Sequence, residues 1–553
     1  MLMLLLLLVP ALVAGGTECN PRDFGADSVV CVCTASDCDL QGVIPVPADG
    51  LFTTVTSSRD GLRFAQNTSS LESTPNPDAD VSVVLDHSTD YQTIFGFGGA
   101  FTDSTGINIA SLPLKAQDFL IKWVDMSYFS PDGIEYNLCR LPMAGTDYSI
   151  RTYSYDDVEG DVDLVNFNLT IEDYQYKLPY IKQAQQVANK ELLLFGSPFS
   201  PPAWMKESGS FFGSGSILKE MWEPYANYFI KFLQAYEAEG APMWGVTMQD
   251  EPLAGLKDSS WNNCYWSPED TRDWIKTHLG PAMKSAGYGD VKLMIHDQTR
   301  DTIPWYVIPC LDDAECNQYV DGTALHWYAD LLTSPDSMDE THNLYPGKFM
   351  LYTESCDGKW YVCACPEKFM LYTDSCDGKW YVCVCFEKFM LYTESCDGWN
   401  AEPDEKVILG SWVRAENYAF NILEDLNHWA TGWVDWNMAL NMSGGPNWAS
   451  KAADSPIIIN TDAGEFYKQP MFYALGHFSK FIPPGSIRMP STVSGPGSGD
   501  VIAVAVHDIP SLTNVAIILN RGDSSKSVSV DSGSGTEFMN FVMPAKSITT
   551  VLF

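Results

Sequence analysis

The sequence predicts a (β/α)8 barrel joined to an antiparallel β-sandwich. Short apolar runs alternate with longer amphipathic ones through the middle of the chain, eight alternations can be traced, and the helical segments stop from residue 501 onward. Strands alternating with helices make a parallel sheet, and eight such units make a closed barrel. A doubly wound open sheet is the competing arrangement. It carries a Gly-rich phosphate turn after its first strand, and Gly96-Phe97-Gly98-Gly99 is not that pattern. A chain of 553 residues, 45% hydrophobic and 19% charged, has material for a large core and is not disordered in bulk.

Residues 1–16 hold a leucine run ending in small residues. It is too short to cross a bilayer and reads as a secretory signal peptide, although it lacks an early Lys or Arg. Residues 17–90 carry Cys19, Cys31, Cys33 and Cys38, whose spacing suits two small disulfides in an oxidising compartment. This strand- and turn-like segment is expected to pack on the C-terminal β domain. The catalytic barrel is expected over 91–440, with strands at 91–101, 136–144, 192–200, 243–252, 291–298, 323–328, 348–354 (or its later copies) and 432–439. Helices are expected at 114–124, 221–238 and 406–427, where apolar residues recur at three- and four-residue spacing. Residues 441–485 form a connection, and 486–553 a sandwich with strands at 501–506, 514–519, 527–530 and 547–552. Sequons at Asn67, Asn168 and Asn441 agree with a secreted route.

Charge narrows the function. Lysine plus arginine minus acidic residues is 33 − 71 = −38, which repels nucleic acid and anionic lipid at neutral pH and suits an acidic compartment. No apolar stretch after the first is long enough to span a membrane, so the mature protein is expected not to be transmembrane.

In a barrel of this kind the site forms at the carboxyl ends of the strands. Those ends carry Asp103, Arg140, Glu251, His326 with Trp327 and Tyr328, Glu354 or Glu394, and Trp436 with Asn437. Two carboxylates, an arginine and aromatic side chains suit glycoside hydrolysis. Aromatic faces stack on sugar C–H surfaces while two acids work on either side of the scissile bond. The lysines and metal cluster that phosphoryl transfer wants are missing, and no metal or other cofactor is expected.

Longer stretches carry a resemblance. GFGGAFTDS (96–104), YNLCRLPMAGTDYSIRTYSYDD (136–157), SPFSPPAWMK (197–206), MWGVTMQDEP (243–252), ALHWY (324–328), LYTESCDG, GWVDWNMALN (432–441) and GGPNW (444–448) run along nearly the whole chain. On these the sequence resembles glycoside hydrolase family 30, in particular its branch that cleaves glucosyl lipids. The resemblance implies a retaining β-glucosidase that hydrolyses glucosylceramide to glucose and ceramide by double displacement. Glu251 would be the acid/base and a glutamate of LYTESCDG the nucleophile, with the two carboxyls about 5–5.5 Å apart. The negative nucleophile is expected to raise the proton affinity of Glu251, and Arg140 to hold the nucleophile ionised. Asp103, Asp250 and Trp436 would contact sugar hydroxyls, Trp327 and Tyr328 would form wall and hydrogen-bond partners, and His326 would orient its neighbours. The resemblance also implies a lysosomal or secreted enzyme meeting its lipid at a membrane surface, with an activator protein as a possible partner. Other family-30 specificities (β-1,6-glucanase or xylanase) and a catalytically weakened carbohydrate- or lipid-binding relative are the alternatives.

Three positions depart from the family pattern. Asp250 stands where the family has asparagine; an ionised aspartate accepts hydrogen bonds but cannot donate one, so a lower rate or a more acidic optimum is expected. Phe199 replaces a tryptophan and Lys451 an asparagine. The larger anomaly is a twenty-residue repeat within 348–398: Lys348 to Glu367, its copy Lys368 to Glu387, and a partial third copy from Lys388. Seven of the fifteen cysteines fall there; with no histidine nearby, the Cys-x-Cys pairs at 363/365 and 383/385 read as duplicated sequence rather than a metal site. A barrel needs one nucleophile. Glu354 and Glu394 each have one family-like flank, Asp374 is a methylene too short, and a short link to the helix at 406 favours Glu394.

Overall fold

The computed structural model describes residues 17–112, 127–330, 332–356, 406–508 and 513–553, together with the backbone of four short strands between 372 and 390. Expectations for residues 1–16, the helix at 114–124, Glu394 and the cysteines at 363 and 365 lie outside the described residues.

Eight parallel strands form the central sheet: Gly96–Gly99, Leu138–Pro142, Leu193–Ser197, Gly245–Thr247, Lys292–Thr299, Gly322–His326, Phe349–Glu354 and Ala430–Asp435. From the second strand on each pairs with the next, the eighth pairs with the first, and an isolated parallel bridge from Ala100 to Arg140 closes the ring between first and second. Strands two, six and eight are buried at every position, as expected when helices cover the outside and side chains fill the inside. Leu138, Phe195, Met294, Ala324, Leu351 and Val434, from six of the strands, pack together as one buried cluster. Strand one passes so close to strand two that a Cβ at Gly98 would lie 1.7 Å from the Leu138 carbonyl oxygen, which explains the glycine there.

Helix Trp222–Ala238 buries Tyr225, Phe229, Phe232 and Tyr236, the three- and four-residue spacing that the sequence showed. Helix Trp412–Asn427 starts at Ser411, whose hydroxyl accepts from the Arg414 N–H. It buries Ala415, Tyr418, Ala419, Ile422 and Leu426.

The sandwich has a six-stranded sheet and a four-stranded sheet enclosing Val81, Val83, Ala505, Ile518, Val528 and Val530. Strands Leu51–Ser58, Ala65–Ser70 and Val81–Leu85 join it from the N-terminal segment. The disulfide-bearing part of that segment goes elsewhere. Strands Pro21–Asp23 and Val29–Cys33 form a five-stranded sheet with Ala439–Asn441, Ile457–Asn460 and Glu465–Lys468. Residues 17–90 therefore divide between two sheets, and 441–485 is a structured unit rather than a mere connection. The reason is pairing: Val29–Cys33 finds its free edge on Glu465–Lys468, with Val32 opposite Tyr467. Disulfides Cys19–Cys31 and Cys33–Cys38 staple this sheet, and Cys310–Cys316 closes a short loop on the barrel.

Helix Pro470–Ser479, buried throughout, ties the sandwich to the barrel. His477 holds Thr550 Oγ1 at 2.8 Å through Nδ1 and Ser57 Oγ at 3.0 Å through Nε2. Burial without a charged partner pushes its imidazole down to about 3.

Candidate active site

The site is organised by Arg140, fully buried on strand two. Its Nη1 donates to Glu354 Oε2, and its Nη2 donates to Asp250 Oδ1 and to Asp297 Oδ2, each at 2.8 Å. The guanidinium lies 5.2 Å from the Phe199 ring and 5.3 Å from that of Trp436, and these two rings stack on each other at 5.1 Å. A planar fork between aromatic faces can serve three carboxylates at once in a way an ammonium cannot.

Glu354 ends strand seven. Register places it directly opposite His326 of strand six, because Thr353 is the extra residue of a bulge on strand seven. Glu354 Oε1 accepts from the Tyr328 hydroxyl at 2.7 Å. Glu251 follows strand four on a left-handed turn, φ +39°, an uncommon conformation for a side chain larger than glycine. Its N–H donates to the Asp297 carbonyl at 2.9 Å, the Asp250 N–H donates to that of Pro198 at 2.9 Å, and Gln249 Nε2 donates to the Asp250 carbonyl at 2.8 Å. The turn is thus pinned on both sides and presents Glu251 with 21% of its side chain exposed, more than Asp250, His326 or Glu354.

His326 sits among the acids. Its Nδ1 is 3.5 Å from Glu251 Oε1, its Nε2 is 3.1 Å from Asp297 Oδ1, and donor atoms of Asp250, His326 and Glu354 all lie within 4.8 Å of one another. Burial opposes its charge, but Glu354, Asp297 and Glu251 together hold the imidazole well above its usual range. Proton affinities of the acids separate accordingly. Burial and the Glu354 charge raise Asp250 well above the carboxylate range, with Arg140 only partly opposing. Burial acts the same way on Asp297, but Arg140 and His326 outweigh it and hold this carboxylate below its ordinary range. Glu251 is also lowered, since the His326 ring beside it overrides burial. The expectation that the nucleophile's charge would raise Glu251 is therefore corrected for the free site. Arg140 neutralises Glu354 at close range, so the imidazolium dominates at Glu251, and the raised acid is Asp250.

Arg140, Asp250, Glu251, His326, Tyr328 and Glu354 are brought together as the sequence suggested. Trp436 contributes by stacking on Phe199 beside Arg140. Asp103 is committed to other groups: its carboxylate accepts from Ser149 Oγ at 2.6 Å and Tyr153 OH at 3.0 Å, and pairs with Lys177 at 3.1 Å. Trp327 turns toward Tyr418 and Trp433 and donates to the Cys356 carbonyl at 3.1 Å. Glu394 lies outside the described residues, and Asp374 lies in a hairpin strand, Tyr372–Cys376, separate from the barrel sheet. Asn67 and Asn168 are exposed, while Asn441 Oδ1 is engaged by Ser443 and Gly445.

Asp297 and Asp147 are additions. Asp297 also accepts from Thr247 at 2.7 Å and Thr353 at 2.6 Å. Reading the last polar residue of each strand passes over it, because a bulge between His296 and Gln298, with positive φ at His296 and Asp297, brings inward a side chain two residues short of the strand end. Asp147 is buried beyond strand two, pushed up to about 7 by burial and by the charges of Glu354 and Glu251, with Lys451 opposing. Nothing in its local sequence marks it.

Residues 94–364 and 384–482 match the glycosyl hydrolase family 30 TIM-barrel domain, and 485–551 the family 30 beta sandwich domain. The chain is 38% identical over 545 residues to the lysosomal acid glucosylceramidase of Mus musculus, covering 98% of this chain and 96% of that one. It is 36% identical over 545 residues to putative glucosylceramidase 3 of Caenorhabditis elegans, covering 97% and 95%. Among solved structures, SrfJ of Salmonella typhimurium shares the fold with a TM-score of 0.75 at 21% identity, covering 91% of this chain and 99% of that one. A barrel and sandwich matched end to end, with two glutamates at its strand ends, place this chain in glycoside hydrolase family 30.

Proposed function

We propose that the protein is a retaining β-glucosidase that hydrolyses glucosylceramide to glucose and ceramide, with Glu354 as nucleophile and Glu251 as acid/base. The observation that carries this reading is the convergence of Glu354 and Glu251 on one His326 ring, Glu354 being tied to Arg140 and Tyr328 while Glu251 alone of the pair is open to solvent.

Glu354 Oε2, bonded to Arg140, attacks the anomeric carbon as Glu251 protonates the departing glycosidic oxygen. The ceramide alcohol leaves, and a glycosyl ester on Glu354 remains. Glu251, now a carboxylate, takes a proton from water, the hydroxide equivalent attacks the same carbon, and glucose departs with Glu354 regenerated. Arg140 steadies the carboxylate that departs in the second step. Because His326 lowers Glu251, the fraction of enzyme with Glu251 protonated grows as pH falls, which favours an acidic compartment such as the lysosome.

An apolar aglycone agrees with the loops that follow the strands. Ile150, Phe212, Leu256 and Trp305 are exposed after strands two, three, four and five, on the face where substrate enters. No helix among the described residues is long and apolar enough to cross a membrane.

A fluorosugar β-glucoside that arrests at the covalent stage tests the assignment. Peptide mapping should find the label on Glu354. Label on Glu394 would overturn the choice of nucleophile, and turnover of a β-1,6-glucan but not glucosylceramide would overturn the substrate.

A further inference from the structure

Four carboxyl groups, Asp250, Glu251, Asp297 and Glu354, surround two cations, Arg140 and His326. All ionised, the cluster would carry two negative charges in excess within a largely buried volume. Such a site takes up a proton, and it goes to the carboxylate with the fewest donors. Asp297 has four: Arg140 Nη2, His326 Nε2 and the hydroxyls of Thr247 and Thr353. Glu354 has Arg140 Nη1 and the Tyr328 hydroxyl. Glu251 has the His326 ring and the largest share of solvent. Asp250 has one donor, Arg140 Nη2, which it shares with Asp297, and its next cation, His326 Nε2, is 3.8 Å away. Only 3% of its side chain meets solvent, and its second oxygen, Oδ2, bonds to nothing among the described residues.

We propose that Asp250 works as a neutral carboxylic acid, positioned beside Glu251 to donate a hydrogen bond from Oδ2 to a sugar hydroxyl in the mouth, and that its ionisation shuts the enzyme off. The proposal rests on the hydrolase reading and deepens it. An ionised Asp250 would bring a second uncompensated charge next to Glu251 and Glu354 and would leave a sugar hydroxyl facing an acceptor only. The groups facing it are Arg140 from strand two, Glu251 on its own turn, Asp297 from strand five, His326 from strand six and Glu354 from strand seven; the Pro198 carbonyl faces its backbone from beyond strand three. The raised proton affinity of Asp250 agrees with this accounting. The worry that aspartate at this position can only accept then falls away at acid pH and returns as pH rises.

The test is the pH dependence of kcat/KM on a soluble aryl β-glucoside. Two groups, Glu251 and Asp250, must each hold a proton, so the wild-type alkaline limb should steepen toward a hundredfold loss per pH unit. Asp250→Asn, which keeps a neutral donor at all pH, should fall about tenfold per unit along the whole alkaline limb, the steeper part of the wild-type limb being absent. A wild-type limb of tenfold per unit throughout, or an Asp250→Asn profile superimposed on wild type, overturns the role of Asp250 and leaves the hydrolase reading standing. The wild-type limb alone decides the matter where the variant does not fold. A folded wild type that turns over no β-glucoside at any pH overturns both.

Discussion

Replacing Asp330 by asparagine should change the pH dependence of stability by an amount the structure allows to be worked out. Asp330 lies in the loop after strand six, buried, with Asn421 Nδ2 donating to Oδ2 at 2.8 Å and Arg300 Nε 3.1 Å from Oδ1. Arg300 also pairs with Glu424 at 2.8 Å and Asp425 at 3.3 Å, so one guanidinium serves three acids. Burial pushes Asp330 up to about 7, and Asp425 is likewise well raised, so the two titrate as a pair that retains a proton in the acid range. A carboxyl raised in the folded state contributes stability that is fully present below its unfolded pKa and lost as pH rises through the folded one. Moving from about pH 5 to about pH 7.5 with a folded pKa of about 7 and an ordinary unfolded value removes about 2–3 kcal/mol. Buried neutral histidines act oppositely, His296 at about 4 and His477 at about 3, each losing stability as pH falls. At about 2 kcal/mol each over this interval they outweigh the carboxyl in the wild-type curve alone, but they are common to both proteins and cancel in the difference. The stability gap between wild type and Asp330→Asn should therefore move by about 2–3 kcal/mol in favour of the variant between those pH values, or about 2 °C in calorimetric midpoint for a chain of this size unfolding as a unit. A gap that stays constant across the range would refute the shared proton.

Two further outcomes concern the arginine hub. Arg140→Met leaves Glu354, Asp250 and Asp297 without their common cation, and urea denaturation should show a loss of about 3–5 kcal/mol near neutral pH, with kcat reduced at least about a hundredfold. Tyr328→Phe removes one hydroxyl from Glu354 Oε1 and little volume; kcat/KM should fall about tenfold while the melting temperature hardly moves.

The barrel was legible because parallel strands buried on both faces write near-continuous apolar runs, and because eight of them alternate with helices. Glu251, Arg140, His326 and Glu354 were legible as polar residues interrupting those runs at their carboxyl ends. Asp297 was not, since a bulge decides its direction and bulges leave no period-two signature. For Asp103 and Trp327 the sequence shows the residue type and the strand end but not the neighbours, Lys177 with Tyr153 for the first and Tyr418 with Trp433 for the second, because those come from other parts of the chain. The partition of residues 17–90 between two sheets depends on which edges are free after the barrel closes, a question local sequence does not answer.

The repeated segment shows why sequence alone left the nucleophile open. Phe349–Glu354 forms a barrel strand between Gly322–His326 and Ala430–Asp435, whereas the near-identical second copy, Tyr372–Cys376, pairs antiparallel with Lys379–Cys383, with Asp374 opposite Tyr381. One local sequence thus supports both pairings, because strand preference is set by neighbours more than by the residues themselves. Loop length does not discriminate either. The first copy follows helix Asp336–Leu344 closely and the third precedes helix Trp412–Asn427 closely, so about forty surplus residues hang on one side or the other, at nearly the same closure entropy. What the choice of copy does decide is the face. With Glu354 in strand seven, the surplus follows the strand's carboxyl end in the chain, and that is the end where Arg140, Glu251 and His326 meet.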